Sequence, residues 1–271
     1  MATPYFSTDN FVLFLGDCIT ELMHLQENSI DMVFADPPYF LSDGTITCRN
    51  GHMVSVRKED WDVSKNLKSK MEFHRKWIAA CKRVLKPSGT IWISGTYHSI
   101  YNCGNELQKQ NFRIINDICW FKPNAPPNLS RKCFTASHET LIWAILEPSA
   151  KHFFNYDLVK NGNWEKDKLK IPNKQMRSVW YIPASSAKEK KHGKHPTQKP
   201  LALLKRIILA STHEDSIVLD PFNGSGTTGI AAYCTGRKYI GIDNKVEYLE
   251  LTIKRYLEEE NKCVLLKQNS N

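Results

Sequence analysis

The chain has 271 residues, 41% of them hydrophobic, which is enough to bury a sizeable core in one domain carrying an insertion. No apolar run approaches the roughly 18 residues that cross a bilayer, and residues 1–10 lack the basic start and apolar core of a secretion signal. Eight scattered cysteines form no Cys-x-x-Cys pair, which argues against a disulfide frame and a zinc site and for a reducing cytoplasm, while the net charge of +9 asks for an anionic partner.

Residues 11–15 read as a short strand ending at Gly16-Asp17-Cys18. A helix follows with Ile19, Leu22, Met23 and Leu25 as its apolar face, and a second, buried strand runs from residue 30 into Asp36. Strand, helix and strand at this spacing predict a parallel βαβ unit. It would place Asp17 and Asp36 at carboxyl ends of strands, where open α/β sheets bind ligands. Asp17 also suits a helix N-cap, and the two roles are compatible.

Asp36-Pro37-Pro38-Tyr39 is a stiff turn, because two prolines stop the strand and fix the backbone. It offers a carboxylate, two proline carbonyls and an aromatic ring. The carboxylate and a carbonyl can accept both hydrogens of an exocyclic amine while the ring stacks on its flat base. Phe40, next in the chain, is expected in the core.

Residues 41–58 form a long polar loop of the kind that acts as a lid, closed by Trp61-Asp62. Residues 71–85 form an amphipathic helix stopped by Lys86-Pro87-Ser88-Gly89. A strand over 90–94, a helix over 97–110 and strands over 114–121 and 140–146 follow, with a proline-stiffened loop from Lys122 to Pro127. His138-Glu139 is expected to be a structural pair at a strand entrance. Regular pattern fades over 151–193. Residues 151–199 hold twelve Lys/Arg against four acids, with Trp164, Trp180 and Tyr181 among them. Cations interleaved with aromatics suit a phosphate backbone and unstacked bases.

A helix over 201–211 and a strand over 216–220 lead to Phe222-Asn223-Gly224-Ser225-Gly226-Thr227 and a further helix. Glycines let the backbone approach a ligand closely, and helix N-terminal amides favour anions. The next strand ends in Asp243, an acid able to hold both hydroxyls of a ribose, and a helix over 245–260 completes the unit. Asp220, beside the glycine turn, would repel a pyrophosphate but suits an ammonium or sulfonium. A cofactor with ribose, ammonium and sulfonium, S-adenosylmethionine, therefore fits better than a dinucleotide.

Asp36-Pro37-Pro38-Tyr39 and Phe222-Asn223-Gly224-Ser225-Gly226 resemble the two signature motifs of amino-group DNA methyltransferases. Their order, catalytic motif first and cofactor loop last, resembles the β group of that family. His195-Pro196-Thr197-Gln198-Lys199-Pro200 is similar to the motif that precedes the cofactor loop, and Gly16-Asp17-Cys18 to the segment flanking the cofactor adenine. The likeness spans residues 12–256. Phe40-Leu41-Ser42-Asp43-Gly44, Trp61-Asp62, residues 95–101 and Phe154-Asn155-Tyr156-Asp157 most resemble the second methyltransferase of DpnII-type restriction systems, which modifies adenine in GATC and accepts single-stranded DNA.

The resemblance implies a three-layer α/β, Rossmann-like S-adenosylmethionine-dependent methyltransferase fold with permuted motif order. In a single domain over 1–271, residues 11–121 would be the catalytic half, 195–260 the cofactor half, and about 150–194 a basic target-recognition insertion. Residues 159–184 match less well, so specificity carries over with less force than chemistry. Asp36, Pro37, Pro38 and Tyr39 would be catalytic. Asp17 and Cys18 would flank the cofactor's adenine, Asp220 its ammonium, Asp243 its ribose, and Lys199 with Thr197 its carboxylate. Phe222, Asn223, Gly224, Ser225, Gly226 and Thr227 would form the loop around it. The partners implied are duplex and single-stranded DNA, with a homodimer and a cognate restriction endonuclease left open. The residues leave three alternatives: cytosine-N4 methylation, a nicotinamide-dependent oxidoreductase reading Gly224-x-Gly226-x-x-Gly229, and a non-catalytic DNA-binding module.

Overall fold

The computed structural model describes residues 3–40, 46–49, 52–55, 66–147, 149–164, 167–193 and 195–268. Its strands are β1 (Phe6–Ser7), β2 (Phe11–Leu15), β3 (Ile30–Ala35), β4 (Ile46–Arg49), β5 (His52–Ser55), β6 (Leu85–Gly95), β7 (Arg113–Phe121), β8 (His138–Ile145), β9 (Val179–Tyr181), β10 (Ile217–Asp220) and β11 (Lys238–Asp243). The helices are α1 (Cys18–His24), α2 (Leu67–Val84), α3 (Ile100–Lys109), α4 (Tyr156–Asn161), α5 (Leu201–Ser211), α6 (Thr227–Cys234) and α7 (Val246–Gln268).

Among the described residues nine strands form one sheet in the order β1-β2-β11-β10-β3-β6-β8-β7-β9. The five from β2 to β6 are parallel, whereas β8 runs antiparallel to both β6 and β7. The period of two along each strand feeds two separate cores. Met32, Phe34, Trp92 and Val218 pack with Leu204, Ile208, Ile230 and Leu249 of α5, α6 and α7. Val33, Ala35, Ile91 and Leu219 pack with Leu22, Trp77, Ile78 and Cys103 of α1, α2 and α3 on the other face. This is the expected three-layer fold.

β2 and β3 run parallel in one sheet, as the βαβ reading expects, but β11 and β10 lie between them, so the two sequence halves interleave. Three expectations are corrected. Met23 is 60% exposed, and Leu22 carries the buried face of α1. Lys86-Pro87-Ser88-Gly89 lies inside β6, where the pairing with β3 shifts register between Ile30 and Met32. Within the expected 41–58 loop, β4 and β5 pair as an antiparallel ribbon. The rest of that loop, apart from the ribbon, and Trp61-Asp62 lie outside the described residues.

The insertion is attached through its aromatics. Arg206 of α5 bonds Asp167 Oδ2 at 2.6 Å, and its guanidinium lies 4.8 Å from the Trp164 ring and 5.0 Å from that of Trp180. Trp180 is buried and reaches Trp92, which stacks on Trp143. Trp164 and Trp180 are therefore anchors to the core rather than free stacking platforms. Tyr181 is half-buried against Phe121, with Lys168 over its ring. Among the described residues no helix is long and apolar enough to cross a membrane.

Candidate active site

The chain leaves β3 toward α2 and β6 in one direction, and β10 toward α6 and β11 in the other. Neighbouring strands that diverge in this way open a crevice at their carboxyl ends, where such sheets bind ligands. A cavity of about 1170 Å³ occupies that position, lined by Asp17, Asp36, Phe40, Phe73, Asp220 and Asp243 among others. It exceeds the roughly 300–1,000 Å³ of a typical small-ligand site. There is room for a nucleoside cofactor and a second flat group beside it.

The cofactor end is built on tight turns. Asp17 caps α1 by accepting from the amides of Ile19 and Thr20, each at 3.1 Å, and Cys18 behind it is buried, its thiol pushed up to about 12 by burial. Gly226 caps α6 at φ +70°, and a Cβ there would run into Thr252. Gly224, at φ +51°, would bring a Cβ to 3.1 Å from His195 Nε2. Only glycine gives this loop both the backbone angles and the clearance. Gly224, Ser225, Thr227 and Phe222 line the cavity. Asn223 also borders it, but its side chain turns inward to Thr252 Oγ1 at 2.9 Å and accepts from Tyr239 at 2.9 Å. Its amide therefore braces the loop from behind.

Asp243 accepts from the amides of Gly224 at 2.7 Å and Lys245 at 3.0 Å, and burial raises its carboxyl to about 6 against those bonds. Asp220 is 2% exposed and accepts from Phe222 N at 3.0 Å and Thr228 Oγ1 at 2.6 Å. Burial drives it to about 7. A buried carboxyl in this state gains by meeting a cation, which supports the ammonium or sulfonium expectation. The acids and the glycine loop therefore fit S-adenosylmethionine.

The other end holds a denser cluster. Asp36 Oδ1 accepts from the Tyr39 hydroxyl at 2.5 Å, and Asp36 Oδ2 is paired with the Lys199 ammonium. Lys199 also donates to the Tyr39 hydroxyl at 3.0 Å and lies 3.5 Å from Glu139 Oε2. Glu139 in turn accepts from Lys122 at 2.9 Å and Ser94 at 3.3 Å. Burial, with the like charge of Glu139, raises Asp36 despite Lys199. Burial would raise Glu139 too, but Lys199 and Lys122 together hold it below the usual carboxylate range. Burial would lower Lys199, yet the two carboxylates raise it.

These contacts change the reading of four residues. Lys199 is 6% exposed and its ammonium is engaged by Asp36, which commits it to this cluster, although both it and Thr197 line the cavity. Tyr39 is buried with its hydroxyl in the cluster, while Pro38 and Phe40 face the cavity. Phe40 is half-buried and meets Phe73 edge-on at 5.7 Å, so it is wall rather than core. Glu139, read in the sequence as merely structural, belongs to this cluster. The only sequence signal was an acid at a strand entrance. Its partner Tyr39 lies 100 residues away, beyond any local pattern.

The family model described as DNA methylase matches residues 30–254. The chain is 50% identical over 257 residues to the type II methyltransferase M2.MboI of Moraxella bovis, covering 94% of this chain and 91% of that protein. It is 49% identical over 262 residues to M2.DpnII of Streptococcus pneumoniae, covering 96% and 94%. Among solved structures, the M1.HpyAVI–SAM complex matches with TM-score 0.65 and 28% identity over 91% of this chain and 98% of that one. The cytosine-N4-specific PvuII methyltransferase shares the fold alone, with TM-score 0.69 and 22% identity over 93% and 88%. With its signature turn and glycine loop facing one cavity across the switch point of the sheet, the chain belongs to the DNA methylase family.

Proposed function

We propose that the chain is a DNA adenine-N6 methyltransferase directed at GATC, serving a restriction-modification system and using S-adenosylmethionine. The observation that carries this reading is the placement of Asp36 and Asp220 around one cavity at adjacent strand ends. Membership of the DNA methylase family disfavours the oxidoreductase and binding-module alternatives. Asp rather than Ser before Pro37-Pro38-Tyr39 favours adenine over cytosine by resemblance to the family.

When bound, the cofactor supplies a methyl group on a sulfonium, an electrophile that is already activated. Asp220 takes its ammonium, Asp243 its ribose hydroxyls, Asp17 and Cys18 flank the adenine, and Thr197 takes over the carboxylate end from Lys199. Phe222 and residues 223–227 enclose the rest. The target base must leave the duplex, because a paired N6 is out of reach of in-line attack. Phe40 and Phe73 offer the aromatic wall against which it lies. Asp36 and the Pro37 carbonyl accept the two N6 hydrogens and draw the nitrogen toward tetrahedral geometry, which localises its lone pair. Pro38 keeps the turn stiff. Tyr39 and Lys199 release Asp36 as the amine arrives, and Glu139 receives the lysine. Tyr39 then serves the site mainly through its hydroxyl. Residues 150–194 form the basic wall against the DNA backbone, residues 11–121 supply the catalytic turn, and 195–260 the cofactor loop.

The test is methyl transfer from labelled S-adenosylmethionine to duplex and single-stranded oligonucleotides with and without GATC, followed by nucleoside analysis. N6-methyladenine confined to GATC-bearing DNA is the expected product. N4-methylcytosine would overturn the target base, and methylation elsewhere would overturn the sequence claim. Asp36→Ala should keep cofactor binding and lose transfer.

A further inference from the structure

Residues 122–137 connect β7 to β8 and project from the same carboxyl edge of the sheet as Asp36, because β8 begins at His138 beside the end of β6. Pro123, Pro126 and Pro127 stiffen the way out. Beyond them the chain is tied to itself. Asn128 N donates to Thr135 Oγ1 at 3.2 Å, Asn128 Nδ2 to the Cys133 carbonyl at 3.1 Å, and Ser130 N to Asn128 Oδ1 at 2.9 Å. At the tip, Phe134 is 99% exposed and makes no ring contact among the described residues, while Arg131 and Lys132 beside it are also exposed. The insertion braces the base of the loop, since Ala184 N donates to Asn124 Oδ1 at 3.0 Å. A fully exposed phenyl ring on an ordered, cation-flanked tip has no folding role to explain it.

We infer that Phe134 is a wedge that enters the duplex beside the extruded target base and stacks on the bases left facing the gap, with Arg131 and Lys132 on the flanking phosphates. This rests on the base-flipping reading above. Fully extended, the five residues from Glu139 back to Phe134 reach at most about 16 Å. That reach allows the tip to lie within a few base steps of a base held at Asp36, since Glu139 belongs to the Asp36 cluster. Apolar side chains inserted between steps are a known way to stabilise an unstacked duplex, and aromatic stacking tolerates any base sequence.

The experiment compares wild type, Phe134→Ala and Phe134→Trp on two GATC duplexes, one fully paired and one with the target adenine mismatched. Because the ring touches no other ring, the alanine variant should fold and bind S-adenosylmethionine as wild type does. Phe134→Ala is expected to lose roughly ten-fold or more in kcat/KM on the paired duplex, with a much smaller loss on the mismatched one, where unpairing is already done. Phe134→Trp is expected to restore the rate. Equal losses on both duplexes, or none on either, would overturn the wedge. A wild type that methylates only single strands would overturn it while leaving the chemistry intact. A wild type that methylates no DNA would sink the methyltransferase reading itself, and the wedge with it.

Discussion

Lys199 and Asp36, 163 residues apart in the chain, hold each other inside the cluster, and Tyr39 occupies the remaining oxygen of the same carboxylate. The acceptor proposed for the target amine is therefore already satisfied before DNA arrives. An incoming N6 must exchange hydrogen bonds with Tyr39 and Lys199 rather than find a bare carboxylate. That avoids leaving a buried charge unpaired, which is strongly unfavourable.

Lys199→Met tests this pairing. Without the ammonium, Asp36 and Glu139 face each other with Lys122 as the remaining cation on Glu139, so Asp36 holds its proton to higher pH. The acid limb of the pH profile of kcat should move upward. The fold should lose about 3–5 kcal/mol in urea unfolding, as when one partner of a buried pair is removed. Because the lysine is raised above 10.5, its stabilisation is present throughout the neutral range and is lost only as pH climbs through its folded value. A pH profile superimposable on wild type would refute the coupling.

Glu139→Gln should act in the opposite direction. It removes the like charge that helps raise Asp36, so the acid limb should move downward. It also removes the carboxylate to which Lys199 moves, tying the lysine more firmly to Asp36. The expected result is a lower kcat with an unchanged affinity for S-adenosylmethionine. A change in cofactor affinity with kcat intact would place Glu139 elsewhere in the cycle.

Asp220 carries a pH signature of its own. Its carboxyl is raised to about 7 by burial, so the folded chain holds a proton there that the unfolded chain has released above 3.8. Its burial therefore costs stability that grows as pH rises from about 4 through 7, up to about 4 kcal/mol. Asp220→Asn removes that slope and should melt higher than wild type at pH 8. The same change should weaken S-adenosylmethionine binding roughly ten- to hundred-fold, the worth of a charged hydrogen bond, and more at pH 8 than at pH 6. Calorimetric titration across that range separates the two effects. Equal weakening at both pH values would mean that Asp220 does not meet the ammonium.

The strand order of chemistry was legible in the sequence because it is local. Each proposed ligand acid, Asp17, Asp36, Asp220 and Asp243, stands at or just after the end of an apolar run, and a strand's end fixes where its next residue points. Sheet neighbours were not legible, since β10 and β11 enter between β2 and β3 from the far end of the chain. The roles of Lys199 and Glu139 were hidden for the same reason, as their partners are set by tertiary pairing rather than by spacing. Composition misdirected the reading of the insertion. Trp164 and Trp180 among lysines looked like stacking platforms, yet a buried guanidinium on the neighbouring helix claims both rings.

Arg206 is therefore the residue on which the attachment of the proposed recognition insertion depends. It joins α5 to Asp167 by a buried ion pair and lies between two indoles, and Asp167 also accepts from the Tyr181 amide at 3.2 Å. Arg206→Ala strands Asp167 in a buried site and removes the packing of both rings. The loss should be about 3–5 kcal/mol, and it should fall on the insertion first, because the central strands keep their own cores on both faces. Limited proteolysis should then cut within 151–193 while the rest of the chain resists. S-adenosylmethionine binding should persist, since no cavity-lining residue is altered. DNA affinity should fall and its dependence on salt should flatten as phosphate contacts are lost. If the variant kept both protease resistance and salt dependence, the insertion would be anchored by something other than this arginine.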